Sequence, residues 1–307
     1  MAGTEWIIAP ELQPKSADYG YDLNRALGSV VGVRALIPED AATAEALGTE
    51  RFGHGVIIRE NGLVLTIGYL VTEAETVWLK LSDGRSVPGH VLAFDQETGF
   101  GLVQPLTKLG LPFLEFGESA GAQVGDHVVV AGAGGRTHSI TAKIAAKQSF
   151  AGYWEYYLNE AIFTAPSHPN WGGTALIGSK GELLGIGSLQ LERTSDDAKA
   201  EPINMMVPID VLKPVFDDLL KFGRTNRPVR PWLGIYSTEI DDHIVIAGVA
   251  KRGPARRAEL KTGDVVLAVG NHEVRELADF YRRVWSLGTA GVNGPPPPPP
   301  EGGTLHV

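Results

Sequence analysis

The 307-residue chain contains no cysteine, which excludes a disulfide framework and any thiolate chemistry. Basic residues are also scarce, with 27 Lys and Arg against 36 Asp and Glu, so a sequence-independent grip on nucleic acid is not expected. No apolar stretch approaches the roughly 18 residues of a membrane helix. The first residues lack the basic start and apolar run of a secretory signal. As the sequence stands, we expect a cytoplasmic protein; a leader ahead of these residues would make it periplasmic.

Glycine and proline, in contrast, are abundant, with 38 and 20 residues, and this composition favours a turn-rich β protein. From Gly28 onward, short apolar runs of strand length alternate with turn signals, among them Asn61-Gly62 and Asp83-Gly84. A second series of about six such runs follows. The pattern predicts two similar β units, each the size of a small closed barrel.

The predicted organisation is an N-terminal arm (1–24), a first barrel (25–110), a second barrel with a C-terminal helix (111–225) and a third domain (226–307). Helical spacing begins near Ile209, but Pro214 falls inside it, so the helix either bends or starts late. Pro295 to Pro300 stand where the third domain should have a closing strand, so the completeness of that domain stays open. A polyproline spacer, a ligand for proline-binding modules and a stand-in for other residues all stay open.

Three stretches in this order resemble the HtrA/Deg family, which joins a trypsin-like double β-barrel to a C-terminal PDZ domain. They read "GHGVIIRENGLVLTIGYLV", "LSDGRSVPGHVLAFDQETGFGLVQ" and "PNWGGTALIGSKGELLGI". The resemblance covers roughly residues 28–290. It implies a mostly β fold with an α+β PDZ domain at its end, and a serine endopeptidase ancestry.

The same resemblance places the family's catalytic His, Asp and Ser at Tyr69, Gly99 and Trp171. Serine hydrolysis needs a hydroxyl nucleophile, an imidazole base and an orienting carboxylate, and none of these three residues supplies its part. One oxyanion donor would come from the backbone of Pro169, which has no N–H. We therefore expect a pseudoprotease. An active endopeptidase with displaced catalytic groups is the alternative.

"RPWLGI" resembles the carboxylate-binding loop of an HtrA-type PDZ domain. The resemblance implies that peptide or protein C-termini bind to the backbone of Trp232, Leu233, Gly234 and Ile235. Leu277, Tyr281 and Val284 on a following helix would line the groove, or else face the core. The family also implies a homo-trimer. A further alternative is a mixed oligomer with an active relative, in which this chain is a structural subunit. Tyr19 and Tyr21 of the arm are the candidate contacts.

The other motifs are weaker evidence for a function. "GESAG" (117–121) matches a nucleophile elbow, but a strand follows it instead of a helix, so we expect a surface loop. The eight histidines show no zinc-ligand spacing, and neither a metal nor a cofactor is expected. His54 and His168 border the vacated cleft in the family fold. We expect two partly exposed side chains with ordinary hydrogen bonds.

Overall fold

The structure, a computed structural model, describes residues 6–194, 200–289 and 305–306. The chain forms two compact units. The first consists of Met1–Gln148 and Glu160–Asn226, and the second of Ser149–Asn159 and Arg227–Val307. This grouping differs from the sequence-based boundaries, which assigned residues 149–159 to the second barrel. These residues group instead with the C-terminal domain because their hydrogen bonds are made there, as described below.

The first barrel is a closed sheet of six antiparallel strands in the order β1-β2-β3-β6-β5-β4. Asn61 and Asp83 stabilise two of its turns by accepting the backbone N–H two residues ahead. Buried aliphatic side chains fill the interior, including Val56, Leu65 and Leu102. The strands are β1 (Val30–Leu36), β2 (Glu50–Ile57), β3 (Val64–Ile67), β4 (Thr76–Lys80), β5 (Ser86–Phe94) and β6 (Phe100–Pro105).

The second barrel repeats this design, with strand order β10-β11-β12-β9-β8-β7. Residues of the N-terminal arm contribute to its core, because Ile8 is buried in the barrel's apolar cluster and Trp6 packs against it. The strands are β7 (His127–Ala131), β8 (Ser139–Gly152), β9 (Tyr156–Ala165), β10 (Ala175–Ile177), β11 (Leu183–Thr194) and β12 (Ala200–Pro208).

Helices are short in the first unit: α1 (Leu23–Gly28), α2 (Ala44–Leu47) and α3 (Phe216–Phe222). Asp22 caps α1 by accepting a hydrogen bond from the backbone N–H of Arg25. The late start allowed for by the sequence is observed at α3. Pro214 lies in a 3₁₀ turn, Lys213–Val215, and the α-helix begins immediately afterwards.

The second unit contains both strands and helices, as expected of a PDZ domain. Its strands are β13 (Ile235–Ile240), β14 (His243–Val249), β15 (Val265–Val269), β16 (His272–Glu273) and β17 (Leu305–His306), and its helices are α4 (Pro254–Arg257) and α5 (Leu277–Ser286). Strands β13 to β16 are neighbours in sequence order, and β17 pairs in parallel with β15. The run from Pro295 to Pro300 lies outside the described residues.

The predicted mostly β fold is confirmed. None of the helices in the described part of the chain combines the length and apolar character needed to cross a membrane.

Candidate functional site

The turn that would carry a nucleophile joins β9 to β10 and contains Trp171. The carbonyl of Trp171 accepts hydrogen bonds from the N–H (3.1 Å) and the hydroxyl (2.8 Å) of Thr174. The next carbonyl, of Gly172, accepts the N–H of His54 in the first barrel at 2.8 Å. These bonds hold the turn against β2, and they occupy the Thr174 hydroxyl as a donor.

Tyr69 lies in a 3₁₀ turn, Gly68–Leu70, that follows β3. Its hydroxyl donates a 2.9 Å hydrogen bond to the carbonyl oxygen of Ser188 in β11, and the Trp171 side chain is its polar neighbour. Burial raises the pKa of the Tyr69 phenol above its ordinary value. The phenol is therefore protonated at neutral pH, and its proton is held by a backbone oxygen.

Gly99 completes the set of three positions. It adopts a φ of +79°, a backbone conformation that favours glycine, and its carbonyl accepts the N–H of Gly68 at 2.7 Å. The positions of Tyr69, Gly99 and Trp171 thus converge in space. They present an indole, a phenol and bare backbone, and together they contain no nucleophile, no base and no orienting carboxylate.

Pro169 lies two residues before Trp171 and is exposed. A proline has no backbone N–H to donate to a developing oxyanion. The arrangement around Trp171 therefore offers one backbone donor fewer than an oxyanion hole built from that turn would need.

Two family models match this sequence: a trypsin-like peptidase domain over residues 53–186 and a PDZ domain over residues 231–291. A probable periplasmic serine endoprotease, DegP-like, of Pseudomonas putida (strain GB-1) is 27% identical over 251 residues, 78% of this chain and 51% of the relative. The serine endoprotease DegS of Escherichia coli (strain K12) is 27% identical over 274 residues, 83% of this chain and 75% of the relative. The chain is thus similar to HtrA-type proteases in both of its domains.

Solved structures agree with this membership at the level of the fold. The HtrA-type protease AlgW with decapeptide matches with a TM-score of 0.53 at 22% identity, over 86% of this chain and 89% of that one. The chain spans about half the length of the DegP-like relatives it matches.

Three histidines and a tryptophan meet beside the nucleophile turn, which corrects the expectation of two partly exposed histidines. His54 and His168 are 5% and 0% exposed, and their ring centroids lie 5.9 Å apart in a perpendicular arrangement. The ring of Trp6 makes edge contacts with both and with His138. The arm residue Trp6 lies over rings that the sequence alone left open to solvent.

Both buried histidines are neutral. The Nδ1 atom of His54 accepts the N–H of Ala133 at 3.0 Å, so its ring proton is on Nε2. Burial lowers the pKa of His54 to about 3 and also lowers that of His168, and the neighbouring rings add to the shift of His54. No group of His, Cys, Asp or Glu within the described ranges has the arrangement of a metal site.

Two further sequence motifs are placed by the structure. In "GESAG", Ser119 begins a 3₁₀ turn, Ser119–Gly121, and its hydroxyl accepts the N–H of Asp210, an arrangement that serves as a loop anchor. In the arm, Tyr19 bonds to the Thr141 hydroxyl and contacts Tyr21. Their role in a trimer or mixed oligomer stays a prediction.

In the C-terminal unit, the loop before β13 has the geometry of a carboxylate site. Backbone N–H groups of Leu233, Gly234 and Ile235 point to one place and donate to the two carboxylate oxygens of Glu155, at 2.8, 2.7 and 3.1 Å. Trp232, which the sequence also proposed as a donor, has a 54% exposed side chain. Three of the four proposed backbone groups therefore converge on a carboxylate.

The helix side chains assigned to the groove are buried. Leu277, Tyr281 and Val284 are 7%, 1% and 3% exposed and belong to the apolar core of this unit. The hydroxyl of Tyr281 donates to the carbonyl of Gly152 at 2.9 Å. These three residues therefore face the core, which is the alternative that their spacing had left open.

Glu155 is the site residue that sequence reasoning missed. It occupies the turn between β8 and β9, in the aromatic stretch "GYWEYY", and matches no motif. Its one signal in the sequence is a lone acidic residue among four aromatic side chains. That signal gives no hint of the three amides it binds.

Proposed function

We propose that this HtrA-family chain has lost peptide-bond hydrolysis and acts as a binding scaffold that takes peptide or protein C-termini at its PDZ domain. The observation that carries the first part is the contact between Trp171 and Tyr69. The side chains at the positions assigned to nucleophile and base lie beside each other, and the phenol donates a hydrogen bond to the carbonyl oxygen of Ser188.

The chemistry of these groups supports the loss of activity. An indole has no lone-pair oxygen or sulfur with which to attack a carbonyl, and a buried protonated phenol is a poor base at neutral pH. Losing a nucleophile or a base alone costs about 10⁶ in turnover in a subtilisin-type enzyme. The missing donor at Pro169 would remove roughly another 10² to 10³.

The binding part rests on the amides before β13. Three consecutive N–H groups that converge on a carboxylate are what a C-terminal peptide requires, and β13 is an outer strand to which an extended peptide can add. A relative with known structure, AlgW, was solved with a decapeptide.

Hydrolysis is tested by incubating the intact chain with casein and with a fluorophosphonate probe that labels activated serines. We expect background proteolysis and no labelled serine. Stoichiometric labelling of any serine, with casein cleavage that the probe abolishes, would contradict the proposal and favour the alternative of an active endopeptidase with displaced groups.

Binding is tested with arrays of decapeptides that carry free or amidated C-termini, at high micromolar concentration. We expect retention of peptides with apolar C-terminal residues that amidation abolishes, because the three amides need an anionic acceptor. Equal retention of both forms would argue against C-terminal recognition.

A further inference from the structure

The three amides that a C-terminal carboxylate would use already have an acceptor within the same unit. Glu155 is 8% exposed, and both of its carboxylate oxygens are hydrogen-bonded by Leu233, Gly234 and Ile235. A second carboxylate cannot bind these N–H groups while Glu155 holds them, because each amide has one proton to donate.

The segment around Glu155 also binds to the outer edge of strand β13. In the described residues, β13 pairs on one side with β14. On its other side the N–H of Ser237 donates to the carbonyl of Tyr153 at 2.8 Å. An extended peptide that adds to this edge would need the same N–H group.

The third wall of the groove is covered as well. The Tyr281 hydroxyl, on helix α5, donates a hydrogen bond to the carbonyl of Gly152. Ala151 and Tyr157 pack against the apolar core to which the other helix side chains, Leu277 and Val284, belong. The hairpin tip, residues 149–159, therefore engages the carboxylate loop, the strand edge and the helix together. These are the three elements that a bound peptide would contact.

Two properties of Glu155 are energetically unfavourable in this arrangement. Its backbone has a φ of +59°, which is uncommon for a residue with a side chain. Burial raises the pKa of its carboxyl, although the three amides act in the opposite direction. The contacts of the hairpin tip must offset both the backbone strain and the desolvation of the carboxylate.

We propose that the peptide groove takes the chain's own hairpin tip, residues 149–159, as its resident ligand, with the Glu155 side chain in the place of a C-terminal carboxylate. A partner's C-terminus then binds only by displacing this hairpin. The displacement step rests on the proposed binding function, whereas the self-occupied groove does not. A tethered ligand has an effective concentration in the millimolar range, so free peptides bind weakly to the intact chain.

The test uses the full chain and two substitutions that are matched in backbone geometry. Glu155→Gly removes the carboxylate and is compatible with the φ of +59°. Glu259→Gly is the control, since Glu259 has a φ of +60° in the same unit and is exposed. Both substitutions remove one negative charge, and both place a glycine at a position with a left-handed backbone conformation.

The first measurement is hydrogen exchange, followed by mass spectrometry, on fragments that cover residues 232–238. We expect slow exchange in the unaltered chain and in Glu259→Gly, and at least about tenfold faster exchange in Glu155→Gly. Fast exchange in the unaltered chain, or equal exchange in all three proteins, would overturn the self-occupied groove.

The second measurement is fluorescence anisotropy with a pool of fluorescein-labelled decapeptides that have free carboxylates and four randomised C-terminal positions. We expect Glu155→Gly to bind the pool at least about tenfold more tightly than the unaltered chain or Glu259→Gly, and an amidated pool to bind none of them. Equal binding by all three would overturn displacement. If exchange is slow in the unaltered chain but none of the three proteins binds the peptides, the hypothesis of a self-occupied groove stands. Displacement by a partner and the proposed binding function would then both be wrong.

Discussion

The phenol of Tyr69 donates a 2.9 Å hydrogen bond to the carbonyl of Ser188, which joins the turn after β3 in the first barrel to β11 in the second. In an active relative, the residue at this position would exchange protons with a nucleophile. Here the side chain at this position is hydrogen-bonded to the backbone of β11. This bond is a structural tie between the two barrels, and its contribution should be measurable as stability.

Replacing Tyr69 by Phe removes that donor and leaves the Ser188 carbonyl without it. We expect Tyr69→Phe to lower the free energy of unfolding by about 1 to 3 kcal/mol, the usual range when a buried acceptor loses its partner. Urea unfolding of the intact chain measures the change.

The matched control is Tyr21→Phe. The Tyr21 hydroxyl is buried and has no hydrogen-bond partner among the described residues. Its removal should therefore leave stability unchanged within about 0.5 kcal/mol or increase it. Equal losses in the two variants would show that the bond to Ser188 contributes nothing.

The barrels could be predicted from the sequence because their signals are local. The Asn61-Gly62 and Asp83-Gly84 turns are set by side chains that bond two residues ahead, and the late start of α3 follows from Pro214. Such effects act within a few residues, so a single sequence contains them.

The surroundings of the site could not be predicted in the same way. The burial of His54 depends on Trp6, which lies 48 positions earlier in the chain, and the occupant of the carboxylate loop is Glu155, far from Leu233 in sequence. No periodicity or motif links these pairs. They meet only because the arm folds onto the second barrel and because the hairpin tip extends into the C-terminal unit.

Acid should weaken the first unit because its buried histidines resist protonation. The pKa of His54 is lowered from 6.5 to about 3. Between these values the unfolded chain binds a proton that the folded chain does not, so the stability contribution is complete above pH 6.5 and is lost as the pH falls toward 3. The loss reaches at most about 1.4 kcal/mol per pH unit for each such histidine.

His54→Gln should flatten this dependence, which urea unfolding between pH 7 and 4 would reveal. His127→Gln, at an exposed position on β7, is the control and should leave the pH dependence as it is in the unaltered chain. If the two variants gave the same slope, the buried imidazole of His54 would not be the group that titrates.

Restoring the triad alone should not restore hydrolysis. The combined variant Tyr69→His, Gly99→Asp and Trp171→Ser supplies the three side chains, but aspartate at position 99 must adopt a φ of +79° and Pro169 still lacks its N–H. We expect turnover of casein within about tenfold of background, since strain displaces the carboxylate and an oxyanion donor is missing.

Adding Pro169→Gly to that variant provides the comparison. Fluorophosphonate labelling should be faster with glycine at position 169 than with proline, because the new N–H becomes available to the oxyanion. Full activity in the variant that retains Pro169 would show that the turn supplies its donors in another way.

Gly173 lies so close to the first barrel that a methyl group cannot be added. A Cβ at this position would lie 1.9 Å from the carbonyl oxygen of His54. That carbonyl also accepts the Thr66 hydroxyl at 2.6 Å, so the strand has little freedom to move away. We expect Gly173→Ala to destabilise the chain by more than about 4 kcal/mol, which is exceptional for a single methyl group.

Gly84→Ala isolates the part of this loss that is due to contact. Gly84 has a φ of +89°, close to the +80° of Gly173, but a Cβ there would meet nothing within 4 Å. Its substitution should cost only the left-handed backbone strain, about 1 to 2 kcal/mol. Urea unfolding of both variants gives the difference directly. Losses of similar size would mean that the nucleophile turn moves away from β2 at little cost, and that the tie between the barrels at Gly173 is loose.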